Sequence, residues 1–205
     1  MVQHYFSSSP APEPGELKDL TATLAGRELK MVTAPGVFSA DRLDAATGVL
    51  LRALEKEPAP AGTCLDLGCG WGPLALAMKI RGGDNAEVYA VDINERARYL
   101  SAANAKRAGL LIKVGSPEEL ANLRDIDVIW SNPPIRIGKG ALHELLTQWF
   151  ERLSPTGSAY MVVGKNLGAD SLAKWLTENG FPTERIASKR GFRILRTTHD
   201  SDRIP

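Results

Sequence analysis

The spacing of apolar residues changes character several times along this chain. Apolar and polar residues alternate over 20–24 and again over 29–33, with Gly26 and Arg27 between them, which predicts a β-hairpin. From residue 63 onward, short apolar runs alternate with longer segments in which apolar residues recur every three or four positions. This alternation of strand-like and helix-like segments is typical of an α/β protein with a mostly parallel sheet.

The apolar runs and their flanking residues predict the order of the elements. Ser39 is the expected N-cap of a helix that precedes the sheet, and Asn94 is the expected N-cap of a helix after the second strand of the sheet. Residues 155–157 predict a turn that leads into the fifth strand. Seven runs are predicted to be strands of one sheet, at 63–67, 86–91, 111–114, 126–130, 158–163, 183–188 and 192–197.

Length and charge limit the organisation of the chain. A chain of 205 residues is expected to form one domain with a substantial core. We predict an N-terminal arm and hairpin extension over 1–36, of which 1–15 is polar and proline-rich, and a main domain over 37–205. The formal net charge is +1, so any binding of nucleic acid must depend on a local basic patch.

The cysteines, the histidines and the N-terminal sequence favour a cytoplasmic protein without a metal site. Cys64 and Cys69 are too few and wrongly spaced for a zinc cluster or a disulfide framework, and we interpret them as packing residues. His4, His143 and His199 form no recognisable group. The sequence shows no signal-peptide pattern and no apolar run of membrane-spanning length, so no membrane partner is expected.

The segment 63–74 combines a buried strand, a glycine turn and the start of a helix. Gly68, Gly70 and Gly72 allow the backbone to approach a ligand without an intervening Cβ, and Pro73 suits the first position of a helix. This combination is typical of a nucleotide-binding corner in an open α/β sheet. A dinucleotide fingerprint requires a third glycine at the position of Pro73, whereas the spacing here is D-x-G-x-G-x-G from Asp66.

The end of the second sheet strand carries an acidic residue. Asp92 follows the strand 86–91 and lies 20 residues after Gly72, where a carboxylate accepts hydrogen bonds from ribose hydroxyls. Ile93 beside it is expected to pack on the face of an adenine. An acidic residue here suits more than one class of nucleotide cofactor, so Asp92 supports a nucleotide site without identifying the nucleotide.

The tetrapeptide Asn132-Pro133-Pro134-Ile135 follows the fourth sheet strand. In a doubly wound sheet the first and fourth strands flank the switch point, so this loop and the glycine turn should face one crevice. The Asn132 side-chain oxygen and the Pro133 carbonyl are acceptors, and neither proline has an N–H to compete. Two acceptors on the N–H bonds of an exocyclic amino group or an amide localise the nitrogen lone pair, so that the nitrogen attacks an electrophile more readily. A strong general base is unnecessary, because the proton on the nitrogen becomes acidic once the new group is attached.

These motifs resemble known families. The glycine turn resembles motif I of class I S-adenosylmethionine (SAM) methyltransferases, and the segment 35–44 resembles that before motif I in the methyltransferase small domain family, which includes guanine-N2 methyltransferases of the small-ribosomal-subunit type. The resemblance implies a Rossmann-like seven-stranded sheet with helices on both faces and an antiparallel last strand. It places one set of residues around SAM: Phe38, Asp66, Gly68, Cys69, Gly70, Gly72, Asp92, Ile93, Ser116 and Asn132.

Some of these assignments leave alternatives. In the family, Asp66 would lie near the methionine amino group and Ser116 near the adenine, although Ser116 would serve equally well as the N-cap of a short turn. The fourth position of the catalytic tetrapeptide is usually aromatic and stacks on the target base, whereas this chain has Ile135. Ile135 in place of an aromatic residue therefore leaves the identity of the substrate open. It has less bearing on the type of reaction.

The resemblance implies an N-methyltransferase, in its stand-alone, single-domain form, that acts on guanine N2 in ribosomal or other structured RNA. Arg136, Lys139 and Lys165 are the expected contacts to the RNA backbone. The alternatives are a protein glutamine N5-methyltransferase, an adenine-N6 methyltransferase and a SAM-binding interaction module without activity. The sequence leaves the oligomeric state open.

Overall fold

The computed structural model describes residues 9–199. The part of the predicted arm at 1–8 lies outside the described residues. Nine strands occur in the described part of the chain: β1 (Lys18–Leu24), β2 (Arg27–Thr33), β3 (Gly62–Leu67), β4 (Ala86–Val91), β5 (Ile112–Gly115), β6 (Ile126–Ser131), β7 (Leu153–Gly164), β8 (Thr183–Lys189) and β9 (Phe192–Thr198). The α-helices there are α1 (Ala45–Leu54), α2 (Pro73–Gly82), α3 (Glu95–Ala108), α4 (Lys139–Phe150) and α5 (Ala169–Glu178).

Seven strands form one sheet in the order β5-β4-β3-β6-β7-β9-β8. β5, β4, β3, β6 and β7 are parallel, and β9 is antiparallel to both β7 and β8. Side chains alternate between the two faces of the sheet, so Cys64 belongs to one apolar cluster and Leu65 to the other. The first cluster includes residues of α1, α2 and α3, and the second includes residues of α4 and α5. The predicted fold class is therefore confirmed.

The N-terminal hairpin forms as predicted, but its turn lies one residue earlier. Ala25 and Gly26 both have positive φ angles, 48° and 78°, as a two-residue turn of type I′ requires, and Arg27 already belongs to β2. Leu24, Leu29 and Met31 are buried in the cluster that holds α2 and α3. The hairpin thus contributes to the main core, and the division of the chain at residues 36 and 37 stays a prediction.

The prediction that Ser39 is the N-cap of α1 is wrong. Ser39 has a φ of 53°, whereas an N-cap residue has extended backbone, and its hydroxyl donates to the Arg42 carbonyl at 2.6 Å in a separate turn. Asp44 is the N-cap, and its Oδ2 accepts a hydrogen bond from the Thr47 N–H at 3.0 Å. Asn94 is confirmed as the N-cap of α3, because its side chain accepts from the Arg96 N–H.

The predicted turn at 155–157 is also wrong, because these residues belong to β7. Leu153 pairs with Ile126 and Ser158 with Val128, so the residues between Leu153 and Ser158 form an irregularity in the strand. A Cβ at Gly157 would lie 2.5 Å from the Ile126 carbonyl oxygen, so glycine is required for this close approach.

One buried side chain joins the hairpin to the rest of the fold. The Asn104 side chain on α3 accepts from the Val32 N–H at 2.7 Å, and its Nδ2 donates to the carbonyls of Val32 and Trp71 at 2.8 and 2.9 Å. Trp71 lies in the glycine turn between β3 and α2. Asn104 therefore joins β2 and the glycine turn to the same helix.

We predict that Asn104→Ala destabilises the protein by about 2 kcal/mol or more, because it leaves a buried N–H and two buried carbonyls without partners. The measurement is the free energy of unfolding in urea. Lys106→Ala, an exposed position on the same helix, is the matched control and should change stability little. Equal stability of the two variants would contradict the role assigned to Asn104.

Candidate active site

A cavity of about 1070 Å³ opens where the parallel strands β3, β4 and β6 end. Its walls come from the glycine turn, the end of β4, the loop after β6, the segment before α1 and one side of α4. Small-molecule sites usually measure about 300–1,000 Å³. The cavity is thus large enough for a nucleoside-sized cofactor together with part of a substrate. It lies at the switch point of the sheet, as predicted from the sequence.

The glycines of the turn differ in what they do. Gly68 and Gly70 line the cavity with φ angles of 78° and 54°, and a Cβ at either would point into open space. Gly72 has a φ of 95°, but it is not among the residues that line the cavity, and its Cβ would lie 2.8 Å from the Ser101 hydroxyl on α3. The structure therefore gives Gly72 a packing role, whereas Gly68 and Gly70 leave room beside the backbone for a ligand.

Cys69 lines the cavity but is not a reactive group. The residue is buried, and its burial, together with the negative charges of Asp92 and Asp66, raises the pKa of the thiol well above its ordinary value. Cys64 is also a free, buried cysteine, and burial raises its pKa to about 12. Both thiols therefore stay protonated, which agrees with the interpretation of the cysteines as packing residues.

Asp66 is fully buried at the end of β3 and lines the cavity. Its Oδ2 accepts a hydrogen bond from the Ala75 N–H at 2.9 Å, whereas its Oδ1 is buried without a partner. Burial raises the pKa of this carboxyl to about 8; the Ala75 N–H lowers it and the nearby Asp92 raises it. A bound group with N–H donors would satisfy Oδ1 and favour the charged carboxylate.

Asp92 follows β4, and both its carboxylate oxygens are held by the backbone. Oδ2 accepts from the Gly70 N–H at 3.0 Å, and Oδ1 accepts from the Asn94 N–H at 2.9 Å. Burial raises the pKa of Asp92, and these two hydrogen bonds oppose that effect. A carboxylate has about four lone-pair sites, so Asp92 is still able to accept from a ligand hydroxyl. Ile93, beside it, is 50% exposed and also lines the cavity.

The loop after β6 lies next to the glycine turn. The Ser131 hydroxyl donates to the Leu67 carbonyl at 2.7 Å, and this hydrogen bond joins the ends of β6 and β3. Pro134 has φ −75° and ψ 72°, the angles of an inverse γ-turn, and the Ile135 N–H donates to the Pro133 carbonyl at 2.8 Å. One lone pair of that carbonyl is thus used within the loop, and the other is free.

The Asn132 amide group is held by two acceptors of α1. Its Nδ2 donates to Asp44 Oδ2 at 3.0 Å and to Thr47 Oγ1 at 3.1 Å. Within residues 9–199 no donor reaches its Oδ1. The pocket walls include Asn132, Asp44 and Thr47. Sequence analysis missed Asp44 and Thr47 as site residues, since nothing in the local pattern relates them to a side chain more than 80 residues away.

The other predicted site residues divide into two groups. Phe38, Ile135 and Arg136 line the cavity, and Phe38 is 53% exposed. Ser116 is not among the lining residues: its hydroxyl accepts from the Glu119 N–H at 3.2 Å, and its N–H donates to the Glu119 carboxylate at 2.7 Å. The alternative that Ser116 caps a turn therefore fits the structure better than an adenine contact.

Lys139 and Lys165 are exposed and do not line the cavity. Lys139 begins α4, and Lys165 directly follows Gly164, which is a cavity residue.

In the described part of the chain, no three His, Cys, Asp or Glu side chains lie close enough together to hold a metal ion. None of the helices described over 9–199 is both long enough and apolar enough to span a membrane.

The sequence matches one protein family and several named relatives. Residues 28–196 match the methyltransferase small domain family. The chain is 30% identical over 200 residues to the uncharacterized protein YbxB of Bacillus subtilis, covering 96% of this chain and 98% of YbxB. It is 34% identical over 198 residues to the ribosomal RNA small subunit methyltransferase C of Pseudomonas fluorescens, covering 91% of this chain and 57% of that protein. The chain thus spans little more than half of that relative.

A solved structure shows the same architecture. The 16S rRNA N2 G1207 methyltransferase of T. thermophilus, solved in complex with AdoMet and guanosine, superimposes with a TM-score of 0.78 at 25% sequence identity. The match covers 92% of this chain and 52% of that protein. The ribosomal protein L11 methylase of Lactobacillus delbrueckii superimposes with a TM-score of 0.62 at 22% identity, which supports the fold alone.

We predict that Asp66 makes the unliganded protein progressively less stable as the pH rises from about 4 to about 8. The raised pKa of Asp66 means that the folded chain keeps a proton which the unfolded chain releases above about pH 4. The contribution to stability is complete below that pH and is lost as the pH approaches 8. Asp92, whose pKa is raised in the same direction, adds to the trend.

Urea unfolding at about pH 5 and about pH 8 measures this dependence. Asp66→Asn should remove a large part of it, because the amide has no proton to release in this range. Asp84→Asn, at an exposed position, is the control and should leave the dependence as it is. A pH dependence that Asp66→Asn does not change would show that Asp66 is ionised in the folded chain.

Proposed function

This chain belongs to the methyltransferase small domain family, and from that premise we propose that it is a SAM-dependent methyltransferase of the exocyclic N2 amino group of guanine in RNA. The observation that carries the proposal is the position of the Asn132-Pro133-Pro134 loop. The loop is joined to the end of β3 and shares one cavity with the glycine turn and its two carboxylates. This arrangement supports a site for the methyl donor next to a site for the amino group that receives the methyl group.

SAM is the cofactor, as the family membership and the glycine spacing both indicate. The residues fit it: Gly68 and Gly70 present open backbone, and the unpartnered Oδ1 of Asp66 suits an ammonium group. Asp92 retains lone pairs for ribose hydroxyls, and the half-exposed Ile93 offers an apolar face. When bound, SAM supplies a methyl group on a positively charged sulfur.

The protein's own contribution to the reaction is the placement of acceptors. The exocyclic amino group of guanine is a poor nucleophile, because its lone pair is delocalised into the ring. Asn132 Oδ1 and the free lone pair of the Pro133 carbonyl would each accept one of its N–H bonds, which localises the lone pair toward the methyl donor. Positioning of this kind supplies much of the rate, and the amino proton becomes acidic once the methyl group is attached.

Two further observations support guanine in RNA as the substrate. Relatives of this chain are named ribosomal RNA small subunit methyltransferases, and the related T. thermophilus enzyme was solved with guanosine. Phe38 and Phe192 line the cavity, so aromatic surface is present even though Ile135 replaces the usual aromatic residue of the loop. The intact Asn132-Pro133-Pro134 loop disfavours an inactive SAM-binding module.

The proposal is tested by incubating the protein with ribosomal RNA and SAM carrying a labelled methyl group. Mass spectrometry of the nucleosides should detect N2-methylguanosine. Labelled N6-methyladenosine would identify the adenine alternative. Label that appears only in glutamine of an added translation factor would identify the protein methyltransferase alternative, and either result would overturn the assignment to guanine.

We predict that Asn132→Ala lowers the rate of methyl transfer by about 10²–10³-fold, by analogy with the loss of one transition-state hydrogen bond. SAM should still bind within about threefold of the normal affinity, because the glycine turn, Asp66 and Asp92 are the residues proposed to hold it. Single-turnover transfer and calorimetry measure the two effects. Asn85→Ala, the same change at an exposed position before β4, is the control. Wild-type transfer by Asn132→Ala would mean that the loop is only a turn.

We also predict that RNA binding depends on salt through Arg136, Lys139 and Lys165, which are exposed beside the cavity. Changing one phosphate-contacting residue to Gln should reduce the slope of log K against log salt by about 0.7–0.9. Lys56→Gln, at an exposed position after α1, should leave the slope unchanged. An affinity for RNA that does not vary with salt concentration would contradict this interface.

A further inference from the structure

We propose that Asp44 and Thr47 are positioning residues that fix the orientation of the Asn132 side-chain amide. The inference rests on the proposed function in one respect, since Asn132 must be the acceptor for the target amino group. Asp44 is the N-cap of α1 and Thr47 lies in its first turn, and both line the cavity beside Asn132, which directly follows β6. They would act on the reaction only through Asn132.

The argument begins with what each partner atom is able to do. A carboxylate oxygen only accepts hydrogen bonds, so the Asn132 atom that lies 3.0 Å from Asp44 Oδ2 must be the donor Nδ2. Thr47 Oγ1 accepts the second Nδ2 proton at 3.1 Å. Both amide protons are therefore used on the α1 side, and Oδ1 is left for a ligand.

The alternative orientation of the amide is excluded by the same contact. Rotation by 180° about the last side-chain bond exchanges Oδ1 and Nδ2, and an isolated asparagine has little preference between the two states. Here the rotated amide would bring Oδ1 against the Asp44 carboxylate and leave Nδ2 as a donor toward the substrate. An amino group cannot use a donor in that position, so the rotated state would be inactive.

Asp44 itself is held in place by its role as a helix cap. The Oδ2 that accepts from Asn132 also accepts from the Thr47 N–H at 3.0 Å. This second hydrogen bond keeps the oxygen from turning away, and Thr47 is buried in the same helical turn. Asp44 therefore both caps α1 and holds the Asn132 amide. Different substitutions at position 44 are able to keep the first role and remove the second.

The test compares Asp44→Ser with Asp44→Asn. Serine is as good an N-cap as aspartate, but its shorter side chain does not reach Asn132. Asparagine keeps an oxygen for the cap and for the Asn132 Nδ2. We expect Asp44→Ser to lower kcat about tenfold or more, with KM and SAM affinity within about threefold of normal, since only the transition-state acceptor is disturbed. Asp44→Asn should restore most of the activity.

A double-mutant cycle distinguishes an effect on the orientation of Asn132 from a loss of activity caused by disturbed folding. When Asn132 is already Ala, Asp44→Ser should cause no further loss of rate, because no amide is left to orient. Thr47→Val, which removes the hydroxyl with little change in shape, should behave in the same way and add to the effect of Asp44→Ser when Asn132 is present. An equal loss in both backgrounds, or a wild-type rate for Asp44→Ser, would overturn the proposal.

A measurement without substrate keeps this inference separate from the proposed function. In ¹⁵N-labelled protein, the Asn132 side-chain NH₂ resonances are assigned by their loss in Asn132→Ala. Its two protons should exchange slowly with water in the wild type and faster in Asp44→Ser/Thr47→Val. If no RNA is methylated but the protons are protected in this way, the substrate assignment fails and the positioning stands. Unprotected protons in the wild type would overturn the positioning itself.

Discussion

The hydrogen bond from the Ser131 hydroxyl to the Leu67 carbonyl marks the contact on which this site depends. β3 and β6 are parallel neighbours, and Leu67 lies opposite Ser131 where both strands end. Beyond this point the chain continues from Leu67 into the glycine turn and from Ser131 into the Asn132 loop. The helices that follow, α2 and α4, pack on opposite faces of the sheet, so a crevice opens between the two loops.

The glycine turn is held by several hydrogen bonds from the surrounding chain. The Val91 carbonyl accepts from the N–H groups of two turn residues, and Asp92 accepts from a third. The Trp71 indole N–H donates to the Ser39 carbonyl at 3.2 Å, and Asn104 donates to the Trp71 carbonyl. A turn with this many partners is preorganised for its ligand and loses little entropy on binding.

The segments that flank the N-terminal hairpin are joined to the wall of the cavity through the start of α3. Arg96 forms two hydrogen bonds with the Glu16 carboxylate, at 2.8 and 3.0 Å, and donates to the carbonyls of Pro10 and Pro35. Asn94, two residues earlier, donates to the Gly36 carbonyl, and its N–H is one of the donors that hold Asp92. The segments on either side of the hairpin are thus coupled to Asp92, a carboxylate that lines the cavity.

The sequence by itself determined the order of the strands and helices and the positions of Asp66 and Asn132 near strand ends, because side-chain periodicity and glycine spacing are local properties. It did not predict that residues 155–157 belong to β7. Only the tertiary structure showed that Asp44 is the N-cap of α1, that Gly72 packs against α3, and that Asp44 holds Asn132. The Asp44–Asn132 contact joins side chains 88 residues apart. Such a contact depends on how α1 packs against the strands of the sheet, and no short-range pattern in the sequence specifies that packing.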